Sequence, residues 1–244
     1  MRDFNHNARI TMATLLALLL GAYLFSYDAN AEDRVRDISR VNGRVEVEHG
    51  RQVADVSTVN GHIDIESGVT ASRLSTVNGG IDIGDASTIE EARTVNGGIR
   101  IEADANVAGK LSTVNGDIRV RENVTISGPV SSVNGSLSFA GGTLIEDQVK
   151  SENGDIQLFN TTVSGDLISR NGDIEVRDRS QVNGDIIIKK RQRHWWNGLS
   201  LFGDHREPRL YIDASSSITG AIHLYREVDL DIAEGAQVGE IIRH

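Results

Sequence analysis

Three acidic residues recur at one place in this chain. Glu46, Asp64 and Asp82 each stand between two β-branched residues, in Val45-Glu46-Val47, Ile63-Asp64-Ile65 and Ile81-Asp82-Ile83. The same place then holds Arg100 and Arg119, while Glu48 and Glu66 flank the acids. Converging carboxylate oxygens are what a hard cation such as calcium requires. Carboxylates beside arginines are also what glycan-cleaving enzymes use for acid–base work. If these residues stack, like charges lie about 5 Å apart and repel unless bridged or screened. Diagonal neutralisation by Arg100 and Arg119 makes solvated charge the expected state of this face. A calcium patch of Glu46, Asp64 and Asp82 is its rival, and a polysaccharide-acting parallel β-helix enzyme comes third. All of these residues occupy ordinary repeat positions, so no catalytic residue is assigned.

A second candidate is the run 189–209, KKRQRHWWNGLSLFGDHREPR. Lys189, Lys190, Arg191 and Arg193 form a basic cluster on an acidic chain, beside His194 and the two tryptophans, Trp195 and Trp196. Leu199, Leu201 and Phe202 follow. Cations next to indoles suit an anionic glycan, lipid headgroups or a protein partner. The competing reading is a flap whose apolar residues cover the scaffold. The histidines, among them His49, His62, His194, His205, His223 and His244, are scattered, and no pair shows metal-ligand spacing with a third ligand. They are expected at the surface, with no metal site and no cofactor. Phosphate-binding glycine loops and serine nucleophile motifs are absent.

What positions these residues is a repeat. Asn-Gly occurs at Asn42, Asn60, Asn78, Asn96, Asn115, Asn134, Asn153 and Asn171, at spacings of 18 or 19. After each pair the apolar residues alternate, as in Ile63/Ile65, Ile99/Ile101 and Ile174/Val176, which marks a strand with one inward face. Asn-Gly supplies a turn that tolerates positive φ. A hairpin meander needs a second turn signal of equal strength, so the period fits one coil of a parallel β-solenoid. Units this short bury an apolar face only by stacking. The stacked asparagines are expected to form an internal ladder of amide hydrogen bonds.

A second phrase, Val107-Ala108-Gly109, Ile126-Ser127-Gly128, Val163-Ser164-Gly165, Val182-Asn183-Gly184 and Ile218-Thr219-Gly220, keeps the same period. It places Asn183 one coil below Ser164, outside the asparagine column. The pattern resumes after the insertion at Leu210/Ile212 and continues through Leu230/Ile232, Val238 and Ile241. The expected fold is all-β: a single-stranded parallel β-helix of about ten coils, three faces per turn, right-handed by the usual crossover rule. At about 4.8 Å per coil the rod is on the order of 50 Å long.

The phrase Val-Asn-Gly-x-Ile-x-Ile/Val resembles a bacterial β-strand-repeat family of unknown function, usually described as adhesin-type, over about residues 38–190. The later coils, Thr219-Gly220-Ala221-Ile222 and Val238-Gly239-Glu240-Ile241, are similar to bactofilin solenoids. The resemblance implies a noncatalytic surface or envelope protein and carries no catalytic residues. Bactofilins are cytoplasmic, and the start of this chain departs from that.

Residues 1–31 read as a signal peptide: Arg2 and Arg9, the apolar run 11–25, then Ala29-Asn30-Ala31 as the cleavage site. An uncleaved anchor is the rival. Residues 32–244 then form one solenoid domain with the insertion at 189–209, periplasmic or secreted to the cell surface, with no stable membrane span after cleavage. There is no cysteine, so disulfides and thiolate metal sites are excluded. The net charge of −10 argues against nucleic acid as a partner. Aromatic residues make up 5%, which suits narrow columns of Ile and Val rather than a wide core. Expected partners are a surface polymer or envelope protein, bound through the side face and the loop. The segment Ile241-Ile242-Arg243-His244 reads as an open strand edge, so end-to-end self-assembly is the alternative.

Overall fold

A computed structural model describes residues 35–190 and 207–244. Their secondary structure is strands and turns, with every strand pairing parallel. Most coils carry three short strands, as in Ile118–Val120, Thr125–Ile126 and Val130–Asn134. We call these the first, second and third faces. First-face strands form one sheet of 10, one per coil, from Val45–Val47 to Asp229–Ile232. Second- and third-face strands are joined in a sheet of 19. The parallel solenoid of about ten coils is therefore as the repeat predicts. Residues 1–31, read above as a signal peptide, lie outside the described residues, among which no helix is long and apolar enough to cross a membrane.

The two later faces are joined into one sheet by two long strands. Gln52–Val53 and Val56–Asn60 are separate, whereas in the next two 18-residue coils Thr70–Asn78 and Thr88–Asn96 run continuously across both faces. In the next coil Thr88 pairs with Asn106, 18 residues on, but Ala92 pairs with Leu111, 19 on. The extra residue enters between those pairs, at Gly109, and breaks the wall into two short strands. From there the glycine column 109, 128, 165, 184, 220 and 239 marks a true third corner.

The core is a set of stacked columns. Ile118, Val120, Val124, Ile126 and Val130 of a single coil are all inside, and each meets its counterpart one coil away. Burying each such side chain contributes about 1.5–3 kcal/mol. Among the described residues Phe139 is the one aromatic in the fully enclosed core, seated between Val120 and Leu158 in its column.

The Asn-Gly corner works differently from the sequence expectation. Of its glycines only Gly43 has positive φ. The others are required by proximity: a Cβ on Gly61, Gly79, Gly97, Gly116, Gly135, Gly154 or Gly172 would lie 1.9–2.2 Å from the carbonyl oxygen of the corner glycine one coil before. Left-handed backbone appears instead at the corner between the first and second faces, at Gly50, Gly68, Ala86, Asp104, Asn123 and Gly142. That corner has no fixed residue type, which is why its geometry is not legible in the repeat.

Candidate functional site

The asparagine column is a continuous ladder. Each side-chain amide donates to the Oδ1 of the asparagine one coil earlier, from Asn60 to Asn42 at 3.0 Å through Asn171 to Asn153 at 2.8 Å. All eight asparagines are exposed, so the ladder runs along the outside of the corner and not within it. The internal column is one the sequence reading missed, formed two residues earlier. Thr76, Thr94, Thr113 and Ser132 are buried, and their hydroxyls donate to Gly61, Gly79, Gly97 and Gly116 carbonyls at 2.8–3.1 Å. The Ser/Thr-Val-Asn-Gly phrase was its signal.

Between those two columns a valine faces outward. Val41, Val59, Val77, Val114 and Val133 form a stripe along the outer third face, with Val41 60% and Val133 40% exposed, while Val95 in the same column is covered. A parallel stripe holds Ser39, Ser57, Ser112 and Ser131, with Ser75 buried and Arg93 interrupting it. From Glu152 onward the valine column turns charged or aromatic, through Arg170, Lys189, Tyr225 and His244. The alternation of the third-face strand predicts this outward valine. The Asn-Gly turn signal that follows it in the phrase masks that alternation.

On the first face Glu46, Asp64, Asp82, Arg100 and Arg119 do stack in register. The charges form an alternating chain. Asp64 accepts from Arg44 through Oδ2, and its Oδ1 lies 3.5 Å from His62 Nε2. His62 Nε2 lies 3.0 Å from Asp82 Oδ2, whose Oδ1 is 3.4 Å from Arg100. The hydrogen bond and charge of Asp64 push the Arg44 guanidinium up from its ordinary value. Arg119 does not join the chain and pairs with Asp117 at 2.6 Å. Two expectations are corrected. Glu46 is not in the cluster that could hold a cation, and His62 is not an isolated surface residue: His62, Asp64 and Asp82 converge within 4.8 Å. Residue spacing hid this, because the histidine comes from the coil before Asp82.

The remaining histidines include a stacked pair at the last coil. His223 Nδ1 lies 3.1 Å from His244 Nε2, and the His244 ring stacks on Tyr225 with centroids 4.1 Å apart.

The insertion leaves the stack where an Asn-Gly corner would stand, between Ile186–Ile188 of the third face and Arg209–Ile212 of the first. Both of its roots are pinned. Arg170 Nη1 donates to the Lys190 carbonyl at 2.9 Å. The Arg209 N–H donates to Asp173 Oδ1 at 2.9 Å, and the Asp229 N–H to the Pro208 carbonyl at 3.0 Å. Lys189 is half-buried and Lys190 exposed. Arg191, Arg193, Trp195, Trp196 and Phe202 lie outside the described residues.

Beside this root Glu152 accepts from Lys150 and Arg170. Burial pushes its carboxyl up, but the two hydrogen bonds more than offset that and hold it below its ordinary value.

The family described as Toastrack DUF4097, a domain of unknown function, matches residues 91–192. That stretch runs from within the strand Thr88–Asn96 to the root of the insertion and contains the ladder from Asn96 to Asn171. No curated protein and no solved structure matches the chain.

Proposed function

We propose that this chain is an exported, noncatalytic, adhesin-like scaffold that binds a surface polymer or a protein partner along its third face. The outward valine stripe carries the reading. Beside it run serine hydroxyls and asparagine amides at the spacing of the coils, about 4.8 Å. Arg93 is the one charged side chain in those two columns from Ser39 to Val133, although the chain as a whole carries −10. An apolar stripe bordered by regular hydrogen-bonding groups suits an extended partner laid along the rod. The basic and tryptophan-rich loop 189–209, rooted at the charged end of the same face, supplies a second contact. Similarity to a domain of unknown function supports a scaffold and names no ligand.

The test is cosedimentation of the purified protein with insoluble cell-envelope polymer. Wild type is expected in the pellet. A Val77→Lys/Val114→Lys double variant is expected in the supernatant with an unchanged melting temperature, because both side chains point outward. No sedimentation of wild type, or equal sedimentation of the variant, sinks the reading.

Self-assembly into an envelope rod is the second reading, favoured by the end coils. Leu230, Ile232 and Val238 continue the core columns at one end but are only partly buried, and Ile241 is 38% exposed. At the other end Ile38 is partly buried against the core. Continuing the register by one coil would set Leu230 on Val45, Ile232 on Val47 and Ile241 on Ile38.

A further inference from the structure

On the first face, away from the valine stripe, one imidazole and two carboxylates meet across a single coil boundary. His62 Nε2 lies 3.0 Å from Asp82 Oδ2 and 3.5 Å from Asp64 Oδ1, and the three donor atoms all fall within 4.8 Å of one another. A tetrahedral zinc-type ion with bonds of about 2.0–2.1 Å sets its donors about 3.3–3.4 Å apart. The two histidine–carboxylate distances bracket that edge.

The surroundings fix these donors. Each carboxylate gives its other oxygen to an arginine, Asp64 Oδ2 to Arg44 and Asp82 Oδ1 to Arg100. Outer partners of this kind orient a ligand and keep one oxygen facing inward. The histidine is seated by a missing side chain. In its column the next coil carries Gly80, where a Cβ would lie 2.8 Å from His62 Cε1. Gly98 follows, so no side chain from those two coils closes over the site from that column.

We propose that His62 Nε2, Asp64 Oδ1 and Asp82 Oδ2 bind a zinc-class divalent metal ion, with the fourth position left to water or to an external group. Imidazole with carboxylate suits such a metal. Calcium is poorly served: it takes six to eight oxygens, and here the second oxygen of each carboxylate is held by an arginine. Positive Arg44 and Arg100 lower the affinity below that of a closed four-ligand site. The proposal is independent of the polymer-binding reading, because it uses another face.

Isothermal titration of zinc chloride into the EDTA-stripped, dialysed full chain tests it, with thermal melts in parallel. We expect one zinc per chain at this site and a melting temperature raised by zinc and not by the same concentration of calcium. His62→Gln and Asp82→Asn should each weaken binding on the order of ten-fold or more. His244→Gln, in the stacked pair with His223, should leave it unchanged. His62 is half-exposed, so its glutamine variant is expected to fold, and circular dichroism without metal checks this. Absence of binding, binding unchanged in His62→Gln, loss in His244→Gln, or an equal response to calcium would each overturn the proposal.

Discussion

Gly97 and Thr94 show how closely the corner is built. The Gly79 carbonyl accepts from the Thr94 hydroxyl at 2.8 Å, and a Cβ on Gly97 would meet that carbonyl oxygen at 2.0 Å. Backbone cannot move aside without shifting the stack, so Gly97→Ala should destabilise by about 3 kcal/mol, the upper part of the overpacking range. Thr94→Val keeps the volume and removes one buried donor, costing about 1 kcal/mol. Ala86 sits at φ 54° at the left-handed corner, where a Cβ is a liability. Ala86→Gly relieves that strain against glycine's entropy and should change stability little. Urea unfolding of the three variants checks the order, and a Gly97→Ala effect no larger than that of Ala86→Gly would sink the close-approach account. The glycine itself was legible in the sequence and its reason was not: turn propensity argues for φ, whereas the constraint comes from the neighbouring coil.

At the scale of the coil, the strands and their register follow from the repeat. Alternation of Ile and Val gives the first face, and the jump from 18 to 19 residues marks where the wall divides. Asn183 falls beneath Ser164, as the second phrase requires, its N–H donating to the Val163 carbonyl at 2.8 Å. What the repeat hides is contact between positions of different coils, such as His62 with Asp82 or Arg170 with Lys190. Those depend on side-chain reach across the stack, not on sequence distance.

The coils near the insertion also carry an acid-sensitive device. Asp213 is pushed up by burial, but the Ser216 and Ser215 hydroxyls and the Asp178 and Ser215 N–H groups hold it below its ordinary value. Glu152 is held low by Lys150 and Arg170. A carboxyl lowered in the folded state contributes stability above its unfolded pKa and loses it as pH falls through the folded value. Melting temperature should therefore hold steady at neutral pH and fall progressively below about pH 4.5. Asp213→Asn should flatten that fall, and an unchanged acid profile in this variant would remove Asp213 from the account.

The whole molecule is a one-dimensional stack, and its two ends bear on assembly. The last strands, Asp229–Ile232 and Ile241–Arg243, pair on one side only among the described residues. Light scattering coupled to size exclusion, with negative-stain imaging of the same sample, separates the two functional readings. Rods of constant width that lengthen with concentration make self-assembly the leading one. A monomer at all concentrations removes it and leaves the valine face.

The asparagine ladder ends at Asn171, where the next corner is given over to the insertion. Seven amide bonds clamp the coils before that point, and none continues the column beyond it among the described residues. Under tension the rod is thus unevenly strong. A load on its C-terminal end would peel the last two coils at the insertion before the laddered segment yields, so that corner sets how much force the anchored part ever feels.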